Sequence, residues 1–142
     1  MSCMRGGKIV LVSCARKKLS TTAKAQDLYV SPLFQLSLAY ARSLKPDVIF
    51  ILSAKYGLLR PEEIVTLYDE TLNAMSMAEV RAWSVGALSQ LSRVADLKRN
   101  EFVLLAGERY RKFIEPELRH VRVPLRGLRI GQQLQFLKRA LT

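Results

Sequence analysis

The apolar run Val48 to Leu52 stops on the block Ser53-Ala54-Lys55-Tyr56-Gly57-Leu58, and no other stretch limits the possible folds as sharply. A continuous apolar run of strand length suits a strand covered on both faces, which requires layers of other elements above and below it. The exit from core to exposed polar backbone takes only a few residues, and Gly57 supplies the freedom for positive φ that such an exit uses. Two further runs share this character. Lys8 to Cys14 is apolar until it ends on small polar residues, and Glu101 to Ala106 ends on Gly107.

The segments between these runs read as helices. Ser31 and Pro32 form a helix start, Ser as cap and Pro at a position where its missing N–H costs nothing. Leu33, Leu36, Tyr40 and Leu44 then give an apolar face at helical spacing, until Lys45-Pro46-Asp47 stops the helix. Ser76-Met77-Ala78-Glu79 is a capping box opening a helix that ends near Ala95. Gly107 leads into a helix bearing Tyr110 and Phe113, stopped around Pro116. His120 to Leu125 alternates in the manner of an edge strand that tolerates Pro124, and the terminal helix sets Ile130, Leu134, Leu137 and Leu141 on one stripe. Leu19 to Val30 and Leu58 to Asn73 lack periodicity, the second with at most a short helix or irregular strand. Alternation of strand and helix predicts an α/β single-domain three-layer sandwich over residues 1–142, with a mostly parallel four-stranded sheet flanked by helices.

Composition narrows the function classes. Twenty-three Lys and Arg against 12 Asp and Glu give a net charge of +11, a field that attracts polyanions such as phosphate backbones. No apolar segment approaches the ~18 residues of a membrane span. Met1 to Gly7 has no apolar signal core, so a cytoplasmic protein is expected. Cys3 and Cys14 are expected to stay reduced, and with the single His120 they do not make a zinc site; no cofactor and no metal are expected. P-loop, dinucleotide and nucleophile-elbow motifs are absent from the sequence.

In a parallel sheet the ends of the first three strands share one edge, where ligands collect. That places Ser13 and Lys17 near Lys55 and Tyr56, and near Glu108 and Tyr110, with Cys14, Lys18, Ser53, Gly57 and Gly107 beside them in the chain. Lysines there suit phosphate, and Tyr29, Tyr56, Tyr68 and Tyr110 offer rings for base stacking, each such contact worth about 1–3 kcal/mol. Asp27 and Asp69 are the carboxylates of the irregular stretches, placed to orient a water or to balance charge on a sugar ring. Lys55 joins them as a catalytic candidate that stabilises an anionic leaving group. Gly131 and Gln132 sit in the G-x-x-x-G opening of the last helix, where backbone N–H groups face an anion. Against each stands a plainer role: core aromatic, surface lysine, turn aspartate.

Ser13-Cys14 with Lys17-Lys18, Asp27-Leu28-Tyr29 with Ser31-Pro32-Leu33-Phe34, Ser53 to Leu58, Tyr68-Asp69 with Thr71-Leu72, Ala106-Gly107 with Tyr110, and Pro124-Leu125 through Gly131-Gln132 together resemble the small bacterial and phage family of unknown function labelled YaaA-like. The likeness extends to the larger YaaA proteins, which bind DNA in peroxide stress, and more distantly to a domain of archaeosine synthase. It implies an α/β fold related to uracil-DNA glycosylases. The glycosylase motifs Asp-Pro-Tyr and His-Pro-Ser are not present in this chain.

The functional expectation is a nucleic-acid-associated pocket protein, DNA more than RNA, with base-excising N-glycosidase chemistry heading the enzymatic readings. A non-enzymatic DNA-binding stress protein and an enzyme of free nucleotides or nucleosides are the alternatives.

Overall fold

The computed structural model describes residues 7–14, 22–29, 31–66, 68 and 71–142. Lys17, Lys18 and Asp69 lie outside the described residues, as does Cys3. In chain order the elements are β1 (Lys8–Ser13), β2 (Ala23–Lys24), α1 (Ala25–Leu28), α2 (Pro32–Ser43), β3 (Val48–Ser53), β4 (Gly57–Leu59), β5 (Ile64–Val65), α3 (Met77–Val94), β6 (Glu101–Leu105), α4 (Glu108–Arg111), β7 (His120–Arg122) and α5 (Ile130–Ala140). Single 3-10 turns occupy Leu72–Ala74 and Glu115–Glu117.

The main sheet has the order β4-β3-β1-β6-β7, with β1 at its centre. Strands β3, β1, β6 and β7 run parallel to one another, Leu11 lying beside Phe50 on one side and Leu104 on the other. Ile9, Val10, Leu11 and Val12 are all buried, as expected of a strand covered on both faces. Burying each such side chain stabilises the fold by about 1.5–3 kcal/mol.

The sheet has five strands rather than the four expected. Gly57 adopts φ +76°, which reverses the chain so that Leu58 and Leu59 pair antiparallel with Leu52 and Ile51. A second, two-stranded ribbon joins Ala23–Lys24 to Ile64–Val65, so both stretches without periodicity contribute a strand. Such short pairings leave no hydrophobic period to read. Strand β7 does lie at the sheet edge, but it stops at Arg122. Pro124 has no N–H with which to extend the ladder.

Connectivity sets the layers. The crossover from β1 to β3 moves one way along the sheet, and the crossover from β3 to β6 moves back past β1. With both right-handed, α2 falls on one face and α3 on the other. Helix α5 packs on α2, where the rings of Tyr40 and Phe136 meet edge to face at 5.7 Å. Among the described residues no helix is long and apolar enough to cross a membrane.

Candidate functional site

Reversal of crossover direction opens a crevice between the carboxyl ends of β1 and β6, the place where doubly wound sheets bind ligands. A hollow of about 420 Å³ lies there. Ser13, Cys14, Leu105 and Ala106 form its floor at the strand ends. Helix α2 and the residue that caps it contribute Ser31, Leu33, Phe34 and Ser37 to one wall. Leu125, Ile130 and Gln133 close the other side, and Asn73 reaches in from the 3-10 turn.

Local sequence explains these positions. Ser31 caps α2 by accepting from the Phe34 N–H at 3.4 Å, which starts the helix beside the strand ends. Phe34, Ser37, Leu38 and Ala41 then make up its buried stripe, so Ser37 is a polar residue on an otherwise apolar face. On α5, Gln133 is half-buried on the same stripe as the buried Leu137 and the exposed Ile130, whereas Gly131 and Gln132 are exposed and lie off the crevice. Gln132 accepts the Arg129 N–H at 2.9 Å and is absent from the crevice lining. The turn carrying Asn73 is held by Arg109, which donates to the carbonyls of Leu72 at 3.1 Å and Met75 at 2.8 Å.

Behind the crevice the three strand ends are tied by side chains. Cys14 Sγ lies 3.1 Å from the Tyr110 hydroxyl, and the Tyr110 ring meets Trp83 edge to face at 5.5 Å. Trp83 Nε1 donates to the Ser53 carbonyl at 2.9 Å. Ser53 Oγ donates to the Tyr68 hydroxyl at 2.9 Å, which in turn is hydrogen-bonded to the Tyr29 hydroxyl. The same Ser53 oxygen accepts from the backbone N–H groups of Lys55 and Tyr56, shaping the turn after β3.

Burial pushes the Tyr29 phenol up to about 12, although its bond with Tyr68 pulls the other way. Burial raises Tyr68 and Tyr110 as well, and the neighbouring Cys14 adds to both. All three are neutral phenols at ordinary pH. They hold the rim together by hydrogen bonding and carry no charge into it.

Of the residues singled out in the sequence, Ser13 and Cys14 line the crevice, while Ser53, Tyr29, Tyr68 and Tyr110 form the network behind it. Tyr29 is fully enclosed, so its ring offers no face to a stacking base. Lys55 is exposed, with its ammonium 5.5 Å from the centre of the Tyr56 ring. Tyr56 bonds Thr66 at 2.8 Å and lies edge-on to Tyr68, placing both Lys55 and Tyr56 on the β3 side of the rim, outside the crevice lining. Asp27 is exposed in α1, and Gly107 is exposed at the start of α4. Neither touches the crevice. Ser31, Ser37, Asn73 and Gln133 were not legible as site residues, though a serine interrupting an apolar helical stripe is a signal that points to Ser37.

Among the described residues none that lines the crevice is charged. Hydroxyl, thiol and amide groups alternate with aliphatic and aromatic walls, a lining that suits a flat, neutral, hydrogen-bonding ligand. Fold and crevice together define a doubly wound α/β protein with a hollow at the switch of its sheet.

Residues 9–139 match the family of unknown function DUF6884, and the chain belongs to that family. It is 30% identical over 144 residues to the uncharacterized protein YfjM of Bacillus subtilis (strain 168), across 94% of this chain and 94% of that protein. No solved structure gives a significant match.

Proposed function

We propose that this is a nucleic-acid-associated protein whose crevice receives a single base. The observation that carries the reading is the contrast between a crevice lined, among the described residues, by uncharged groups and a chain of net charge +11. A phosphate-binding pocket would bring cations or a row of backbone donors to the ligand. Among the described residues the cations lie outside the crevice, which offers Ser37, Asn73 and Gln133 for hydrogen bonds, with Phe34 and Leu105 as apolar surfaces. Base edges are read by such groups, and phosphates by the basic surface. The likeness to YaaA-like proteins, whose larger relatives bind DNA, leans the same way.

Binding takes precedence over excision in this reading. Glycosidic cleavage needs a carboxylate or equivalent base at the sugar, and among the described residues none lines the crevice. Lys55 is then a phosphate contact on the rim. The test measures thermal stabilisation by free bases and nucleosides alongside affinity for oligonucleotides carrying modified bases, with abasic sites scored in parallel. Stabilisation by a nucleoside that is reduced in Asn73→Ala supports the base site. Abasic product adds catalysis, and absence of any nucleoside response together with salt-insensitive oligonucleotide binding defeats the proposal.

A further inference from the structure

A second hollow, of about 600 Å³, lies at the opposite end of β6 and β7, lined by Arg99, Glu101, Arg119, His120 and Arg122 around Phe102 and Val121. Val121 borders both this hollow and one on the α4 side, where it joins Leu118 and Lys112, while alternation along the strand turns His120 and Arg122 to the same face. Arg119, His120 and Arg122 are all exposed.

The positive charge continues along the chain. Beyond Arg122 come Arg126 and Arg129, both exposed, and between them and β7 stands Leu125, which lines the crevice. The stretch from His120 to Leu125 spans at most roughly 17 Å at the rise of an extended strand. Arginines therefore run from the hollow at one rim of the sheet to the crevice at the other. Two of them are engaged already: Arg126 pairs with Glu115, and Arg99 lies 3.9 Å from Asp96. Arg119, Arg122 and Arg129 have no carboxylate partner among the described residues, and Glu101 is the acid in the hollow.

We infer that this edge is an arginine track that takes the phosphodiester backbone of a single nucleic-acid strand and leads it toward the crevice. The inference rests on the reading of the crevice as a base site. Its cations along β7 and the following turn are all guanidinium groups, whose planar forks match phosphate oxygens in pairs. An acidic peptide adding a strand to the sheet is the competing occupant. It is disfavoured because β7 is three residues long and Pro124 ends the ladder just beyond it. A single strand fits better than a duplex because the base must leave its stack to enter a crevice.

The test uses fluorescence anisotropy with a labelled single-stranded oligothymidylate across a salt series. Arg119→Gln with Arg122→Gln is expected to weaken binding about tenfold at 0.1 M salt and to reduce the log–log salt slope by roughly 1.4, the loss of two phosphate contacts on a single strand. Lys138→Gln with Arg139→Gln removes the same charge from α5 and is expected to change affinity less than twofold. Thermal stabilisation by a free nucleoside should be the same in both variants and in the parent, which also reports that each is folded. Equal weakening by the two pairs would mean a diffuse field and overturn the track. Displacement of the oligonucleotide by polyglutamate as effectively as by unlabelled strand would overturn the phosphodiester assignment. A selective arginine effect without any nucleoside stabilisation keeps the track and removes the base site.

Discussion

The Gln90 side-chain amide spans the turn around Gly57, accepting from the Leu58 N–H at 2.9 Å and donating to the Tyr56 carbonyl at 3.2 Å. A Cβ added at Gly57 would sit 2.0 Å from Gln90 Oε1, and the residue's φ is +76°. The turn that presents Lys55 and Tyr56 is thus held by a helix remote in sequence. Gly57→Ala is expected to destabilise by about 1–3 kcal/mol through strain and the displaced amide. Gln90→Ala relieves the clash but not the strain, so the double variant should cost less than the sum of the singles in urea unfolding.

The tyrosine network predicts a loss of stability in alkali. Tyr29 titrates at about 12 in the fold against about 10 when exposed, so its contribution is complete below pH 10 and disappears as pH rises through 12. Tyr68 and Tyr110 shift in the same direction. Urea midpoints should therefore fall steeply above pH 10. Tyr29→Phe should flatten that fall while costing about 1 kcal/mol at neutral pH for the lost hydrogen bond.

Removing a hydrogen-bonding group from the crevice should weaken the ligand without weakening the fold. Asn73→Ala deletes one hydrogen-bonding group from the crevice and should weaken nucleoside affinity by about fivefold, the equivalent of roughly 1 kcal/mol. Its melting temperature should move little, because Asn73 is exposed in a turn that Arg109 holds through backbone carbonyls. Arg109→Ala, by contrast, should weaken the ligand and lower the melting temperature together.

Helix α3 starts on a reciprocal cap, with Ser76 Oγ accepting from the Glu79 N–H at 3.2 Å and Glu79 accepting from the Ser76 N–H at 3.0 Å. These bonds hold the Glu79 carboxyl below its usual range. Ser76→Ala should cost about 1 kcal/mol by thermal unfolding. The cap's contribution from Glu79 is present above the ordinary carboxylate range and fades as pH falls through the lowered value, so the cost of Ser76→Ala should shrink in acid.

Long, strongly patterned elements were open to reading in the chain. The apolar runs at Lys8, Val48 and Glu101 had to be buried strands, and the caps at Ser31 and Ser76 marked where two helices begin. The paired stretches at Gly57–Leu59, Ala23–Lys24 and Ile64–Val65 were hidden, because two or three residues carry no period and their pairing depends on a partner elsewhere. The site divided in the same way. Ser13 and Cys14 follow from strand ends alone, whereas Asn73 and Gln133 reach the crevice only through the hold of Arg109 and the phase of α5.

What the linear order of residues determined by itself was a parallel sheet whose polar strand ends share one rim, since burial on both faces admits few other arrangements. What the tertiary structure alone decided was the side of that rim on which the hollow opens. The hollow lies between β1 and β6 because the crossovers reverse there, a consequence of strand order that local spacing does not encode.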